Sequence, residues 1–405
     1  MRRMVAAVCG VVLLAGCSST PEKATKVDGV ERTTAGAAAI SISPRNAATG
    51  VAPDKGVVVR SADGTLDDVK VSYQGQEIPG EFSPDRTAWK ASDPLAPSAE
   101  YTVTATARNP DGKVSTETST FKTLKPAKNL QIIDITPMPG EKVGVGMPVI
   151  VKFNRTVTDK KAVERMLVVK TTKASRGAWF WTVMNGVQTA IFRPPNGKYW
   201  PANTKIAFAA KLKGVRSGKG IYGIRNYKQI WKIGDAHYIV ASAKTHRLRV
   251  YKNKKLITSW PISMGSGGDV WPDGIDHQVT TSGYHLTMAH SKLERMRPPG
   301  KKKGDPGWYD EKVPWATRIS ASGEYIHQNM DDPSCLGNRN CSHGCVRSPA
   351  DKAKWFMNWS YRGDIVKITG TSRPLAWNNG WGFYQLSWKA WVKGSALKRV
   401  VSTRV

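Results

Sequence analysis

The chain has 405 residues and a formal net charge of +30, from 61 Lys and Arg against 31 Asp and Glu. That length allows two to four domains with ample core. So basic a balance often signals nucleic acid, but the basic residues are scattered, the densest run is Lys301-Lys302-Lys303, and no nucleic-acid motif accompanies them.

The N-terminus reads as a secretory signal. Arg2 and Arg3 form a positive region, and Val5 to Ala15 is apolar but too short to span a bilayer. The stretch ends in Leu14-Ala15-Gly16-Cys17, which looks like a bacterial lipobox. Residues 1–16 are then a lipoprotein signal peptide, and Cys17 is the acylated first residue of the mature chain. The plainer alternative is an ordinary signal with a chance Cys. The lipobox implies a protein anchored by acyl chains to the outer face of the bacterial membrane. There the basic charge would attract an anionic envelope, or simply be solvated surface.

Residues 17–39 are small and polar, a flexible tether. Residues 40–124 alternate at period two, with Val69, Val71 and Tyr73 on one face and Tyr101, Val103, Ala105 and Ala107 on another. Asp111-Gly112 supplies a hairpin turn. Residues 125–235 continue in kind, with candidate strands through Ile150, Val151 and Phe153 and through Ile206, Phe208 and Ala210. A faint repeat, Pro97 to Val103 against Pro201 to Ala207, fits two β-sandwiches in tandem. Neither sandwich holds a cluster of His, Cys or paired acids.

A further β-rich region spans 236–370. Tyr238 to Ala241 and Leu248 to Tyr251 read as a hairpin. Gly265 to Gly268 lacks the Lys-Ser/Thr ending of a phosphate loop, so it has no nucleotide role. Ser348-Pro349-Ala350-Asp351 reads as a helix start, with Ser348 as N-cap. Residues 371–405 form a Trp-rich tail that should pack back onto this region. The fold class is mainly β: two tandem sandwiches, then a β-rich domain with one or two helices and a short C-terminal subdomain.

Of five cysteines, Cys9 leaves with the signal and Cys17 takes lipid. Cys335, Cys341 and Cys345 remain in an oxidising compartment, an odd count that suggests one disulfide and one free thiol. Tyr325-Ile326-His327-Gln328 and Cys341-Ser342-His343-Gly344-Cys345-Val346-Arg347 carry the chemistry. A thiol needs an imidazole or a positive field to attack a carbonyl at neutral pH. Gly344 permits close backbone approach, so nearby amides can face an oxyanion. Cys335, Cys341, His343 and Cys345 also suggest zinc, but their spacing is not that of the usual ligand pairs. A purely structural disulfide cluster is the remaining alternative. No metal or cofactor is implied.

Ser342-His343-Gly344-Cys345-Val346-Arg347, with His327 eighteen positions before the Cys, resembles the signature of the YkuD-type L,D-transpeptidases. Trp315 to Ser320, Tyr361 to Val366 and Leu386-Ser387-Trp388 resemble the mycobacterial subgroup, which carries a lipobox, two immunoglobulin-like domains and a C-terminal subdomain. The resemblance implies that Cys345 is the nucleophile and His327 the general base and acid. It implies an oxyanion hole in the backbone around His343, Gly344 and Cys345, a lid tyrosine at Tyr309, and substrate contacts at Ser322, Gly323 and Arg347. Met288 is a looser candidate for a second lid residue, because 292–307 looks longer than in relatives.

Three departures stand out. Gln328 occupies a position often held by Ser or Gly, and it serves if a backbone carbonyl orients His327. Arg347 replaces an Asn of the subgroup. Cys335 and Cys341 are additional, and a disulfide pinning the loop before Cys345 is expected; a redox switch pairing one of them with Cys345 is the rival. His343 is expected to hold the loop, and His246, His277, His285 and His290 to be surface or packing residues. The implied partners are peptidoglycan stem peptides and carbapenem-type inhibitors. The implied reaction is 3→3 crosslinking through a thioester. L,D-carboxypeptidase action and a non-catalytic wall-binding scaffold are the alternatives.

Overall fold

The structure, a computed structural model, describes residues 36–298, 300–305 and 307–404. The lipobox, Cys17 and most of the expected tether lie outside them. Among the described residues, no helix is long and apolar enough to cross a membrane.

The first sandwich packs two four-stranded sheets. Its strand Glu100–Arg108 shows why the period-two pattern folds this way. Tyr101, Val103, Ala105 and Ala107 are buried in the core, whereas Thr102, Thr104 and Thr106 face outward. Each outward hydroxyl meets a threonine of the next strand, Thr120, Thr118 and Thr116, at 3.4, 3.5 and 3.3 Å. Such cross-strand pairs add to the pairing of a half-exposed sheet. The turn at Asp111–Gly112 places Gly112 at φ 84°, which glycine adopts without strain. The sandwich begins a little earlier than residue 40, since Ala38 is already in its core.

The second sandwich joins a four-stranded sheet to a five-stranded one. The larger sheet is covered on both faces, which explains strands such as Val187–Arg193 that are buried nearly throughout rather than at alternate positions. One face meets the inner core of Trp179, Phe192 and Trp231. The other is covered by the tail: Phe383 and Trp391 bury against Ile150, Ala178 and Ile191. Truncating such a buried indole costs about 3–5 kcal/mol. Arg193, fully buried, lies under Trp391 at 4.3 Å and Tyr384 at 4.7 Å. Burial pulls its guanidinium down to about 10, still charged at neutral pH. The last strand, Val401–Ser402, pairs with Arg176–Met184 at the sheet edge. The tail therefore covers the second sandwich with its indoles and also packs back onto the domain that precedes it. It meets that domain through Arg373 and Asn379 and through Gln385, which accepts from the Tyr284 amide and donates to the Ser282 carbonyl, each at 3.1 Å.

The third domain has a five-stranded sheet with central strands His237–Ser242 and Ile365–Thr369 in parallel. A second sheet runs Ala289–Met296, Glu311–Arg318, Tyr325–Gln328, Val346–Ser348. Ile239, Leu248, Trp260, Ile326, Val346 and Phe356 share one core. The helix is Ala350–Trp359, and Pro349, not Ser348, is its N-cap. Ser348 remains in the strand, where its hydroxyl accepts from the Trp260 indole at 3.0 Å. This domain abuts the second sandwich backbone to backbone. Gly144 and Gly146 donate to Arg362 O and Gly363 O at 2.7 and 2.9 Å. A Cβ on Gly144 would sit 2.3 Å from the Asp364 amide nitrogen, so the contact demands glycine.

Candidate active site

Val346–Ser348 lies parallel to Tyr325–Gln328, with Ile326 opposite Val346 and His327 opposite Arg347. Side chains alternate across a strand. Ile326 and Val346 point into the core, so His327 and Arg347 take the other face. One step before the strand, Cys345 shares that face and packs with Tyr309 against the cluster of Met296, Val313, Ala316 and Tyr325. His327 and Cys345 thus lie on one face of adjacent parallel strands, two positions apart in register.

The His327 ring is oriented from behind. Its Nδ1 donates to the Gln328 carbonyl at 2.6 Å, which leaves Nε2 as the acceptor. Gln328 therefore acts through its backbone. Burial pulls His327 down to about 4, and Arg347 adds to this. Burial pushes the Cys345 thiol up to about 12; the Tyr325 amide opposes this, the Glu324 charge adds to it, and Arg347 opposes it. The resting pair is a thiol and a neutral imidazole, and Sγ points toward Gly323 O at 3.6 Å. Arg347 is buried, with its guanidinium 2.6 Å from Asp331. Its charge acts on both members of the pair, and like them it is not among the residues lining the cavity beside the turn.

The turn before Cys345 is held by Ser342, a motif residue to which the sequence assigned no separate role. Its hydroxyl accepts from the Gly344 amide at 3.1 Å and donates to Cys345 O at 2.6 Å. Gly344 sits at φ 121°, a conformation that favours glycine. Its amide is engaged, so Gly344 shapes the turn and is not itself an oxyanion donor. Cys335 and Cys341 form a disulfide and Cys345 is free. The bond occupies two of the sulfurs that a zinc set or a switch with Cys345 would need.

A cavity of about 340 Å³ opens beside this turn. Tyr309, Ser322, Gly323, His343 and Gly344, all singled out from sequence, line it together. His343 is exposed and stacks on Tyr309 with ring centres 4.9 Å apart. Ser322 is held by Asn379 of the tail, which accepts from its amide and meets its hydroxyl, each at 2.9 Å. Met288 is not at the cavity. It lies at the base of the lid hairpin, where a Cβ on Gly380 would come 2.7 Å from its sulfur. The long hairpin carries Met296 to the cavity instead.

The sequence offers Lys301 to Lys303 as a basic lid run that could hold anionic stems; Lys301 does line the cavity, but it is 2.8 Å from Asp269, which also accepts from the Trp271 indole at 3.0 Å. Lys301 thus ties the lid to the loop that follows the glycine run. Asp269, Trp271 and Glu324 were not legible as site residues. Trp271 stacks on His277, and both line the cavity. Glu324 is buried behind Gly323. Thr281 donates to it from its amide and its hydroxyl, both at 2.6 Å, and His285 donates to the Thr281 hydroxyl at 2.8 Å. Burial alone would raise this carboxyl; His285 and Thr281 hold it below the usual range. His285 is therefore part of a polar network rather than plain packing. His246 and His290 bond Asn340 and Ser360 away from the cavity.

Family models match the chain twice: a bacterial Ig domain over residues 48–216 and an L,D-transpeptidase catalytic domain, YkuD, over residues 236–368. Tandem β-sandwiches ahead of a YkuD domain define an acyltransferase of the transpeptidase type. L,D-transpeptidase 2 of Mycobacterium tuberculosis is 32% identical over 360 residues, covering 88% of this chain and 85% of that one. L,D-transpeptidase 5 of the same species is 30% identical over 366 residues, covering 88% and 77%. The chain belongs to the L,D-transpeptidase family. A solved L,D-transpeptidase in complex with imipenem is 25% identical, with a TM-score of 0.48, covering 60% of this chain and all of that one.

Proposed function

We propose that Cys345 attacks the carbonyl joining the third, L-configured residue of a peptidoglycan tetrapeptide stem to its terminal D-Ala. As the C–S bond forms, the thiol proton passes to His327 Nε2, and the amides of His343 and Cys345 meet the oxyanion. Collapse breaks the C–N bond, and D-Ala leaves with the proton from His327. The side-chain amine of a second stem's diamino acid then attacks the thioester, giving a 3→3 crosslink and restoring the thiol. The observation that carries this reading is the free Cys345 thiol on one strand face with His327, whose Nδ1 is fixed by Gln328 O. A carbapenem presents a strained carbonyl to the same sulfur and should acylate it. Cys17 as lipid site would place this chemistry at the outer face of the membrane, within an anionic envelope.

Mass spectrometry tests the reading. Incubation of the full chain with tetrapeptide stems should give a thioester adduct that Cys345→Ala lacks, and dimeric stems as product. Shortened monomers alone would make it an L,D-carboxypeptidase. No adduct with a titratable Cys345 would leave a wall-binding scaffold. Because a protonated Nε2 cannot accept, kcat/KM should fall as pH drops through about 4. An acid limb near 6.5 would show that burial does not hold His327 neutral.

A further inference from the structure

The basic charge is not shared evenly between the domains. Residues 40–124 hold 9 Lys and Arg against 11 Asp and Glu, whereas residues 125–235 hold 21 against 5. The second sandwich therefore carries a large excess, and the first carries none. The two also handle charge differently across strands. In the first, Lys122 stands opposite Glu100 in register and pairs with it at 3.0 Å. In the second, the four-stranded sheet runs in the order Lys142–Val143, Tyr227–Ile233, Lys205–Ala210, Leu167–Thr171. There Lys232 is the register partner of Lys142 on one side and of Lys205 on the other.

Burial shows where these side chains point. Val143, Trp231, Ile233, Ile206 and Val169 lie in the core. Side chains alternate along a strand, so Lys142, Lys232, Lys205 and Lys170 take the outer face, and all four are exposed. Lys228, also exposed, shares that face with Ile230, Ala207 and Ala209 between the lysines. Adjacent strands lie about 4.8 Å apart, so Lys142, Lys232 and Lys205 form a row that crosses about 10 Å of sheet. Like charges directly opposite one another destabilise a sheet. Among the described residues no carboxylate offsets them at salt-bridge range: Glu141 is taken by Arg362 at 3.0 Å and Asp235 by Lys252 at 2.9 Å.

We propose that this face docks a linear phosphodiester polymer of the cell wall and so holds the enzyme against the wall. A row of ammonium groups on a flat sheet fits a chain of closely spaced, permanently charged groups, and lysine meets phosphate as a point charge. Peptide stems hang only one to a disaccharide, too sparsely for such a row. A lipid surface fits less well. The outward positions of these strands hold no Trp, Phe or Leu to enter the lipid boundary. The first sandwich, which lies between this face and the expected lipid site in the chain, has no basic excess. Aromatic rings on which nucleic-acid bases stack are likewise missing from those positions. The inference does not depend on the chemistry proposed for Cys345.

The test sediments the full chain with purified wall sacculi and, in parallel, with vesicles of an anionic phospholipid. Half of the sacculi are first treated with hydrofluoric acid, which cleaves phosphodiesters and leaves glycan and peptides. Untreated sacculi should bind the chain, and the acid treatment should remove most of that binding. Lys205→Gln with Lys232→Gln should weaken binding roughly tenfold and lower the slope of log affinity against log salt by about 1 per lysine. This pair should melt no lower than the parent, because it removes like-charge repulsion, so weak binding cannot be laid to unfolding. Lys389→Gln with Lys393→Gln, exposed on the tail helix, removes the same charge elsewhere and should leave binding unchanged. Equal losses from the two pairs reduce the effect to net charge and overturn the face. Binding that survives hydrofluoric acid, or that goes to vesicles rather than sacculi, overturns the phosphodiester polymer as occupant.

Discussion

Two buried acid–histidine pairs sit in the third domain, and they behave in opposite ways. At the junction with the second sandwich, His237 Nδ1 lies 2.8 Å from Asp364, and its ring stacks on Trp359 at 3.6 Å. Behind the cysteine turn, Glu324 and His285 are joined through Thr281. Burial pushes Asp364 up to about 6, because His237 and the Tyr361 amide serve one oxygen while Oδ1 has no partner. Glu324 is equally buried, yet its shift runs downward, because His285 faces it and both of its oxygens accept from Thr281. The partners aimed at both oxygens of a buried carboxylate, not burial as such, decide whether it stays charged. One pair stabilises a seam; the other fixes a negative charge beside the sulfur.

The largest expected effect breaks the better-satisfied pair. Glu324→Ala strands the Thr281 amide and hydroxyl and removes the charge opposite His285, and should cost about 3–5 kcal/mol in urea denaturation. Asp364→Ala should cost less, since half of that carboxyl is already unsatisfied. Equal costs would show that partners on both oxygens do not separate the two pairs. A smaller effect appears in the pH dependence. Between its ordinary 3.8 and about 6, Asp364 holds a proton in the folded chain that the unfolded chain has released. Its contribution to stability is therefore full below about 4 and declines as pH rises to 6. Glu324 has the opposite sign, losing its contribution as pH falls below the usual carboxylate range. Asp364→Asn cannot titrate, so its stability relative to the parent should rise by about 2–3 kcal/mol from pH 4 to 6. A flat difference across that window would assign the titration to another group.

What the sequence made legible follows from distance along the chain. The turn Ser342 to Arg347 is contiguous, and His327 lies on the strand next to it, so motif and period sufficed to bring them together. Tyr309, Ser322 and Gly323 were reachable by resemblance for the same reason. Met288, a loose candidate for a second lid residue, sits at the base of the hairpin Ala289–Met296/Glu311–Arg318, and Met296 lines the cavity instead. Ser348 reads as an N-cap on local grounds, but a tryptophan 88 positions earlier claims its hydroxyl. The tail was hardest. Its indoles cover a sheet formed some two hundred residues earlier, and Val401–Ser402 completes that sheet's edge. No local pattern reveals such contacts. Ala190-Ile191-Phe192, three apolar residues without alternation in the strand Val187–Arg193, were the one available hint.

The smallest expected effect is the most informative about the site. Glu324 contributes to holding the Cys345 thiol protonated, although burial is the larger cause. Glu324→Gln keeps the shape, removes the charge, and keeps one acceptor for Thr281. The thiol should then ionise at lower pH, and iodoacetamide should alkylate Cys345 several-fold faster at pH 9 to 10. Turnover with stems should nevertheless fall, because the wall carrying Gly323 and Tyr325 loses part of its anchorage. Faster alkylation with slower turnover separates the two roles: a merely structural glutamate would slow both or neither. Asp364→Asn serves as the control, since no charge at the seam is among the groups that shift the sulfur. If both substitutions move the alkylation curve alike, the Glu324 charge is not acting on Cys345 directly, and the contrast between the two pairs is one of stability alone.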